Sequence, residues 1–223
     1  MNTKLLIQAI GKFLLGVLLV GLLVFLPAGS LHFTQGWLMM GILFVPMLIA
    51  GLVMIFKRPQ LLEKRLNAKE TEDEQSLVVK LSGLMFLGGF IVAGLDYRFG
   101  WLPLPVGISI GAAVVFLIAY ILYAIVLKEN EFLSRTIELQ ENQRVIDTGL
   151  YGIVRHPMYF ATLLLFLAIP LVLGSMISFV IFLFYPFIIA KRIKNEEKVL
   201  EEGLPGYKEY KQKVKYRLIP FIW

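Results

Sequence analysis

The segment Asp147-Thr148-Gly149-Leu150-Tyr151-Gly152-Ile153-Val154-Arg155-His156-Pro157-Met158-Tyr159 gathers an acid, a guanidinium, an imidazole, a proline and two phenols between long apolar runs. Ionisable groups at the mouth of a membrane span are costly to keep there, which makes the segment a functional-site hypothesis. Pro157 suits the first position of a helix, where its missing N–H costs nothing. It also pushes His156 away from helical backbone angles. Arg155 and His156 are therefore expected on a rigid elbow at a helix N-terminus, whose free N–H groups favour an anion or a carboxylate. Tyr159, just inside that helix, can return its hydroxyl to the same place. Two readings stand: a ligand site, or an interfacial anchor with Arg155 on lipid phosphate and Tyr159 in the aromatic belt.

A second cluster follows. Arg192 and Glu196 are four residues apart and share a helix face, with Glu197 adjacent. One reading is a surface ion pair of little worth. The other is a carboxylate for a cationic or hydroxyl-rich ligand beside a guanidinium for an anion. Other chemistries lack their residues. The chain has two histidines and no His-x-x-x-His, so no zinc site is expected. Neither glycine-rich phosphate-binding motif occurs. The absence of cysteine excludes a catalytic thiol, disulfides, thiolate ligands and S-acylation.

The elements that must position these residues are membrane helices. The chain has 223 residues, 58% of them hydrophobic, and a mean hydropathy of +0.75. Several runs reach the roughly 20 residues that a helix needs to cross a bilayer. The fold expected is an all-α integral membrane protein with about six transmembrane helices. They cover Leu5–Leu26, Gly36–Phe56, Ser76–Leu95, Val106–Leu127, Met158–Leu173 and Met176–Ala190. The last two form a helical hairpin turning at Gly174-Ser175. Pro27-Ala28-Gly29-Ser30 ends the first span, Lys12 lies inside it, and Trp37 anchors the second. Pro46, Pro170 and Pro186 are expected kinks. The run Leu5–Ala28 is too long for a cleaved signal peptide and reads as a retained span. Gln60–Gln75, with Glu63, Lys64, Arg65, Lys69, Glu70, Glu72, Asp73 and Glu74, reads as a solvated helix or loop lying on the membrane, and Asp96 as interfacial.

With six crossings, every Lys and Arg except Arg98 falls on one side, which the positive-inside rule makes cytoplasmic, with both termini there. The net charge of +6 then reflects orientation and anionic lipid headgroups, not nucleic acid. Two polar segments, Lys128–Pro157 and Lys191–Trp223, flank the hairpin, face one compartment and can meet. No internal repeat suggests an inverted-repeat transporter. The organisation expected is an N-terminal membrane region, 1–127, and a core with hairpin and tail, 128–223.

The run Asp147–Tyr159, the hairpin, Arg192-x-x-x-Glu196-Glu197-x-x-Leu200, Pro205-Gly206-Tyr207-x-x-Tyr210-x-x-x-Val214 and Leu218-Ile219-Pro220 stand in a fixed order. Together they resemble the isoprenylcysteine carboxyl methyltransferase family, and more broadly the membrane methyltransferases that include phospholipid N-methyltransferases. The resemblance covers roughly Asn130–Trp223. It implies an S-adenosylmethionine pocket on the cytoplasmic side, between the pre-hairpin segment and the tail. It implies that Gln140 and Gln143-Arg144-Val145-Ile146 form the strip touching the cofactor before the elbow, with Gln143 standing where the family often has histidine. It implies cofactor contacts from Tyr151, His156, Pro157, Met158 and Tyr159. Arg155 or the helix N-terminus would suit the cofactor carboxylate. Glu196 matches the acid at the cofactor's polar end, Arg192 the arginine for the substrate carboxylate, and Glu197 the neighbouring acid, so Arg192 and Glu197 are the catalytic candidates. Ala161 replaces a glycine common in relatives.

The function this resemblance implies is methyl transfer to a membrane-embedded acceptor, the carboxylate of an isoprenylcysteine-like or other lipidic substrate. Methylation of a phospholipid or other amine is the alternative; it needs a base, for which Glu197 and His156 are the nearby residues. A non-catalytic scaffold or transporter predicts no adenosyl affinity, and a sterol-reductase-like oxidoreductase predicts nicotinamide binding instead.

Overall fold

A computed structural model describes residues 3–66, 73–134, 136–137 and 139–223, with backbone alone at 73–75. Lys69, Glu70 and Glu72 of the charged stretch lie outside the described residues. The architecture is helical: α1 (Thr3–Ala28), α2 (Thr34–Lys57), α3 (Pro59–Leu66), α4 (Asp73–Phe99), α5 (Val106–Glu129), α6 (Pro157–Val172), α7 (Met176–Phe182), α8 (Tyr185–Gly203) and α9 (Tyr207–Lys213), with a short 3-10 turn at Gly149–Gly152. Among the described residues there is no strand, only an isolated bridge between Pro103 and Ser175.

Among the described residues, five stretches are long and apolar enough to cross a bilayer: Thr3–Ala28, Thr34–Lys57, Ser76–Phe99, Val106–Glu129 and Met176–Gly203. α6 has 16 residues, fewer than the roughly 20 a full crossing takes. The run read as the sixth span, Met176–Ala190, falls within the stretch Met176–Gly203, and at its expected kink it is interrupted at Leu183-Phe184, between α7 and α8. Pro186 explains the break: it has no N–H to give, and its ring conflicts with the Phe182 carbonyl one turn back. The first helix ends within Pro27-Ala28-Gly29-Ser30, as expected, with Pro27 itself still inside α1. The helix ends at Gly29, whose φ of 64° and N–H bond to the Phe25 carbonyl make a left-handed cap.

Close helix packing rests on small residues. A Cβ on Gly94 would come within 2.5 Å of the Val24 carbonyl oxygen, so α1 and α4 touch backbone to backbone there. The core runs from Val24, Phe33 and Met39 through Phe116 and Ala119 to Ile169, Val172 and Phe182. The outward faces of α1 and α2 carry exposed Leu14, Leu18, Val45 and Ile49, apolar area that a bilayer would cover.

Asp96, read as interfacial, is buried at 1% exposure. Its carboxylate accepts hydrogen bonds from the Leu102 N–H at 2.8 Å and from Ser175 Oγ at 2.5 Å. It thereby ties the α4–α5 loop to the turn between α6 and α7. At the opposite end, α3 is bound down, with Leu61 and Leu62 buried. There Lys64 Nζ donates to Gln140 Oε1, and Arg65 donates to the Tyr123 hydroxyl and the Ser134 carbonyl.

Candidate functional site

The elbow forms as the proline dictates. Pro157 occupies the first turn of α6, and His156 before it has φ −125° and ψ 60°, outside the helical region. The tail then grips this elbow. The Arg155 N–H donates to the Tyr216 carbonyl at 2.9 Å and the His156 N–H to the Arg217 carbonyl at 2.8 Å. The Arg155 guanidinium turns the same way: Nη1 reaches the Val214 and Lys215 carbonyls at 2.6 and 2.8 Å, and Nε reaches Glu197 Oε1 at 2.7 Å. Glu197 also meets His156 Nε2 at 3.3 Å and accepts from Arg217 Nε at 2.9 Å. Its side chain is 3% exposed, so these partners replace the water it has lost.

A second wall comes from the segment before the elbow. Gly149 has φ +55°, and a Cβ there would lie 2.1 Å from Glu129 Oε1. That close approach lets Glu129 accept from the Leu150 N–H at 3.1 Å and sets the 3-10 turn carrying Tyr151. The Tyr151 hydroxyl accepts from Asn130 Nδ2 at 3.1 Å, and its carbonyl accepts from the Tyr210 hydroxyl at 2.7 Å. Burial pushes both phenols above their ordinary range, so both remain O–H donors at neutral pH.

Between these walls lies a cavity of about 490 Å³, a size ordinary for a small-molecule site. Its polar part is built by Tyr159, which donates to Glu196 and accepts from Arg192 Nε at 2.9 Å. The His156 ring stacks on the Tyr159 ring, centroids 5.6 Å apart. Its apolar part includes Val78, Gly83 and Phe86 of α4, Phe166 of α6 and Ile188 of α8. One cavity therefore joins a charged corner to a wall suited to a hydrocarbon chain.

Gln143, Arg144, Val145, Ile146, Tyr151, Arg155, His156, Met158, Tyr159, Arg192 and Glu196, all expected at the site, line this cavity. Three other expected residues do not. Gln140 is held behind the wall by Lys64 and by the Phe132 carbonyl. Pro157 is buried in the first turn of α6. Glu197 stands on the far side of α8, lining a separate depression of about 250 Å³ with Lys211 and Arg217. Ala161 is fully buried and also off the wall, so the departure from glycine falls in the helix packing. Arg65, Tyr123 and Asn130 line the cavity without having been expected there. Nothing local in the sequence marks Arg65 or Tyr123, since α3 and α5 bring them in from the other half of the chain. Tyr207 also lines it, and its Pro-Gly-Tyr setting was the available signal.

Comparison with known proteins gives two similarities. A mouse (Mus musculus) delta(14)-sterol reductase is 28% identical over 91 residues. That similarity covers 40% of this chain and 22% of the reductase, so the chain spans less than a quarter of the length of the curated relative it matches. Residues 109–202 match the sequence model of a methyltransferase family. The stretch that supplies the elbow and the Arg192/Glu196 pair thus carries the pattern of the isoprenylcysteine carboxyl methyltransferase (ICMT) family.

Proposed function

We propose that this chain is a membrane methyltransferase that uses S-adenosylmethionine and delivers the methyl group to a lipidic carboxylate of the isoprenylcysteine type. The observation that carries the reading is the Tyr159 bridge, which holds Arg192 and Glu196 together in a cavity whose other walls are apolar. The donor set fits such a cofactor: a carboxylate for an ammonium or ribose diol, aromatic and aliphatic surface for a base, and about 490 Å³ of space. When bound, the cofactor supplies a methyl group on a sulfonium, open to in-line displacement.

The chain's own residues then have positional roles. Glu196 holds the cationic or diol end. Arg192 orients the acceptor carboxylate, and Tyr159 fixes both. Val145 and Ile146 close the wall against water. Arg155 spends its donors on Glu197 and on tail carbonyls, so it is a positioning residue, as is Glu197. In-line transfer depends on alignment far more than on proton movement. A carboxylate acceptor is already a nucleophile and needs no base. An amine acceptor would need one; Glu197 stands outside the cavity, engaged by Arg155, His156 and Arg217, and His156, the other candidate, lies on the cavity wall with its Nε2 turned to Glu197 at 3.3 Å. That position favours a carboxylate acceptor. The distribution of basic residues supports a site on the cytoplasmic side.

The test is transfer of labelled methyl from S-adenosylmethionine by the purified protein in detergent or vesicles. A prenylcysteine analogue with a free carboxylate should be labelled, and its methyl ester and phosphatidylethanolamine should not. Labelling of the amine lipid alone would replace the carboxylate reading. NADPH binding without adenosyl binding would replace the methyltransferase reading with a reductase one.

A further inference from the structure

The cavity is lined by five tyrosines: Tyr123, Tyr151, Tyr159, Tyr185 and Tyr207. Four have hydroxyl partners within the protein. Tyr123 accepts from Arg65, Tyr151 from Asn130, Tyr159 bridges Arg192 and Glu196, and Tyr185 donates to Thr162. The Tyr207 hydroxyl has no hydrogen-bond partner among the described residues, although the residue is only 4% exposed. A buried hydroxyl without a partner is rare, and it is costly because the group has lost water and gained nothing.

Its setting is firm. Tyr207 opens α9 behind Gly206, whose φ is +84°, and its N–H donates to the Leu204 carbonyl at 3.2 Å. Its ring packs at 5.7 Å from that of Tyr210, in a cluster that Val145 and Leu200 complete. Burial, reinforced by the negative charges of Glu197 and Glu196, holds the phenol far above its ordinary range. The group is therefore a protonated hydroxyl, fixed near the acidic corner of the cavity.

We propose that Tyr207 is a further ligand-contacting residue, whose hydroxyl hydrogen-bonds the amino-acid end of the adenosyl ligand beside Glu196. The inference rests on the adenosyl reading above. It adds a residue from α9, beyond the stretch that matches the family, and gives the orphaned hydroxyl its partner.

Y207F removes the oxygen and keeps the ring. The test measures affinity for S-adenosylhomocysteine, displacement of that ligand by 5′-methylthioadenosine, which lacks the amino-acid arm, and the unfolding midpoint of the ligand-free protein. The loss of one hydrogen bond to a charged group should weaken S-adenosylhomocysteine by about tenfold or more. Methylthioadenosine affinity should stay the same, and ligand-free Y207F should unfold no earlier than the unaltered protein. Unchanged S-adenosylhomocysteine affinity, equal weakening of both ligands, or a lowered ligand-free midpoint would each overturn the assignment. If the unaltered, folded protein binds no S-adenosylhomocysteine, the adenosyl reading itself fails and Tyr207 falls with it.

Discussion

Arg155 donates from Nε to Glu197 Oε1 at 2.7 Å, across 42 residues of sequence and with both side chains under 5% exposed. This pair joins the elbow before α6 to α8, and Arg217 closes it from the tail at 2.9 Å. Breaking a buried pair by removing one partner leaves an uncompensated charge. Glu197→Ala should therefore destabilise the protein by about 3–5 kcal/mol. Glu197→Gln, which keeps part of the hydrogen bonding, should cost less. Unfolding midpoints in detergent check this; a neutral Glu197→Ala would show that the elbow is held by its backbone bonds alone.

Glu196 should behave in the opposite way. It is bonded to Tyr159 at the cavity and is not part of the buried ion cluster. Glu196→Gln is expected to leave the unfolding midpoint nearly unchanged and to weaken S-adenosylhomocysteine by tenfold or more, about the worth of a charge-assisted hydrogen bond. Stability loss with intact affinity would exchange the roles assigned to these two adjacent acids.

Arg192 donates to the Tyr159 hydroxyl from Nε. Lysine has no Nε fork and cannot hold the phenol and a carboxylate in one plane. Arg192→Lys should lower turnover of the acceptor by about 10²-fold through misalignment, while cofactor affinity moves much less. Steady-state kinetics with acceptor varied, set beside a binding isotherm for S-adenosylhomocysteine, separate the two effects. A pure affinity loss would move Arg192 into the cofactor shell.

Gly149 takes φ +55° against the Glu129 carboxylate. Gly149→Ala forces a side chain into the left-handed region, costing about 1–2 kcal/mol, and pushes Glu129 off the Leu150 N–H. Lower stability and weaker ligand binding are expected together, because the same turn carries Tyr151. Affinity equal to that of the unaltered protein would separate the turn from the site.

Legibility in the sequence followed the range of the interaction. The elbow was readable because Pro157 acts on its immediate neighbour. The proximity of Arg192 and Glu196 was readable because helical spacing alone sets it. What sequence spacing could not show was the third party: Tyr159, 33 residues from Arg192, bridges the pair. Glu197 was expected at the same site as Glu196, as a catalytic candidate, yet one helical step turns it to the buried cations. Arg217, Arg65 and Tyr123 reach the site through pairings of distant segments, which no periodicity encodes. The interruption between α7 and α8 was readable in outline, because Pro186 lacks an N–H and was expected to kink the run; that it goes as far as a break between two helices was not.

The most direct test of the central claim is calorimetric titration of the purified protein with S-adenosylhomocysteine in detergent. One-to-one binding at micromolar strength is expected, weakened in Glu196→Gln. No binding by protein shown to be folded would contradict it and leave the cavity to another ligand.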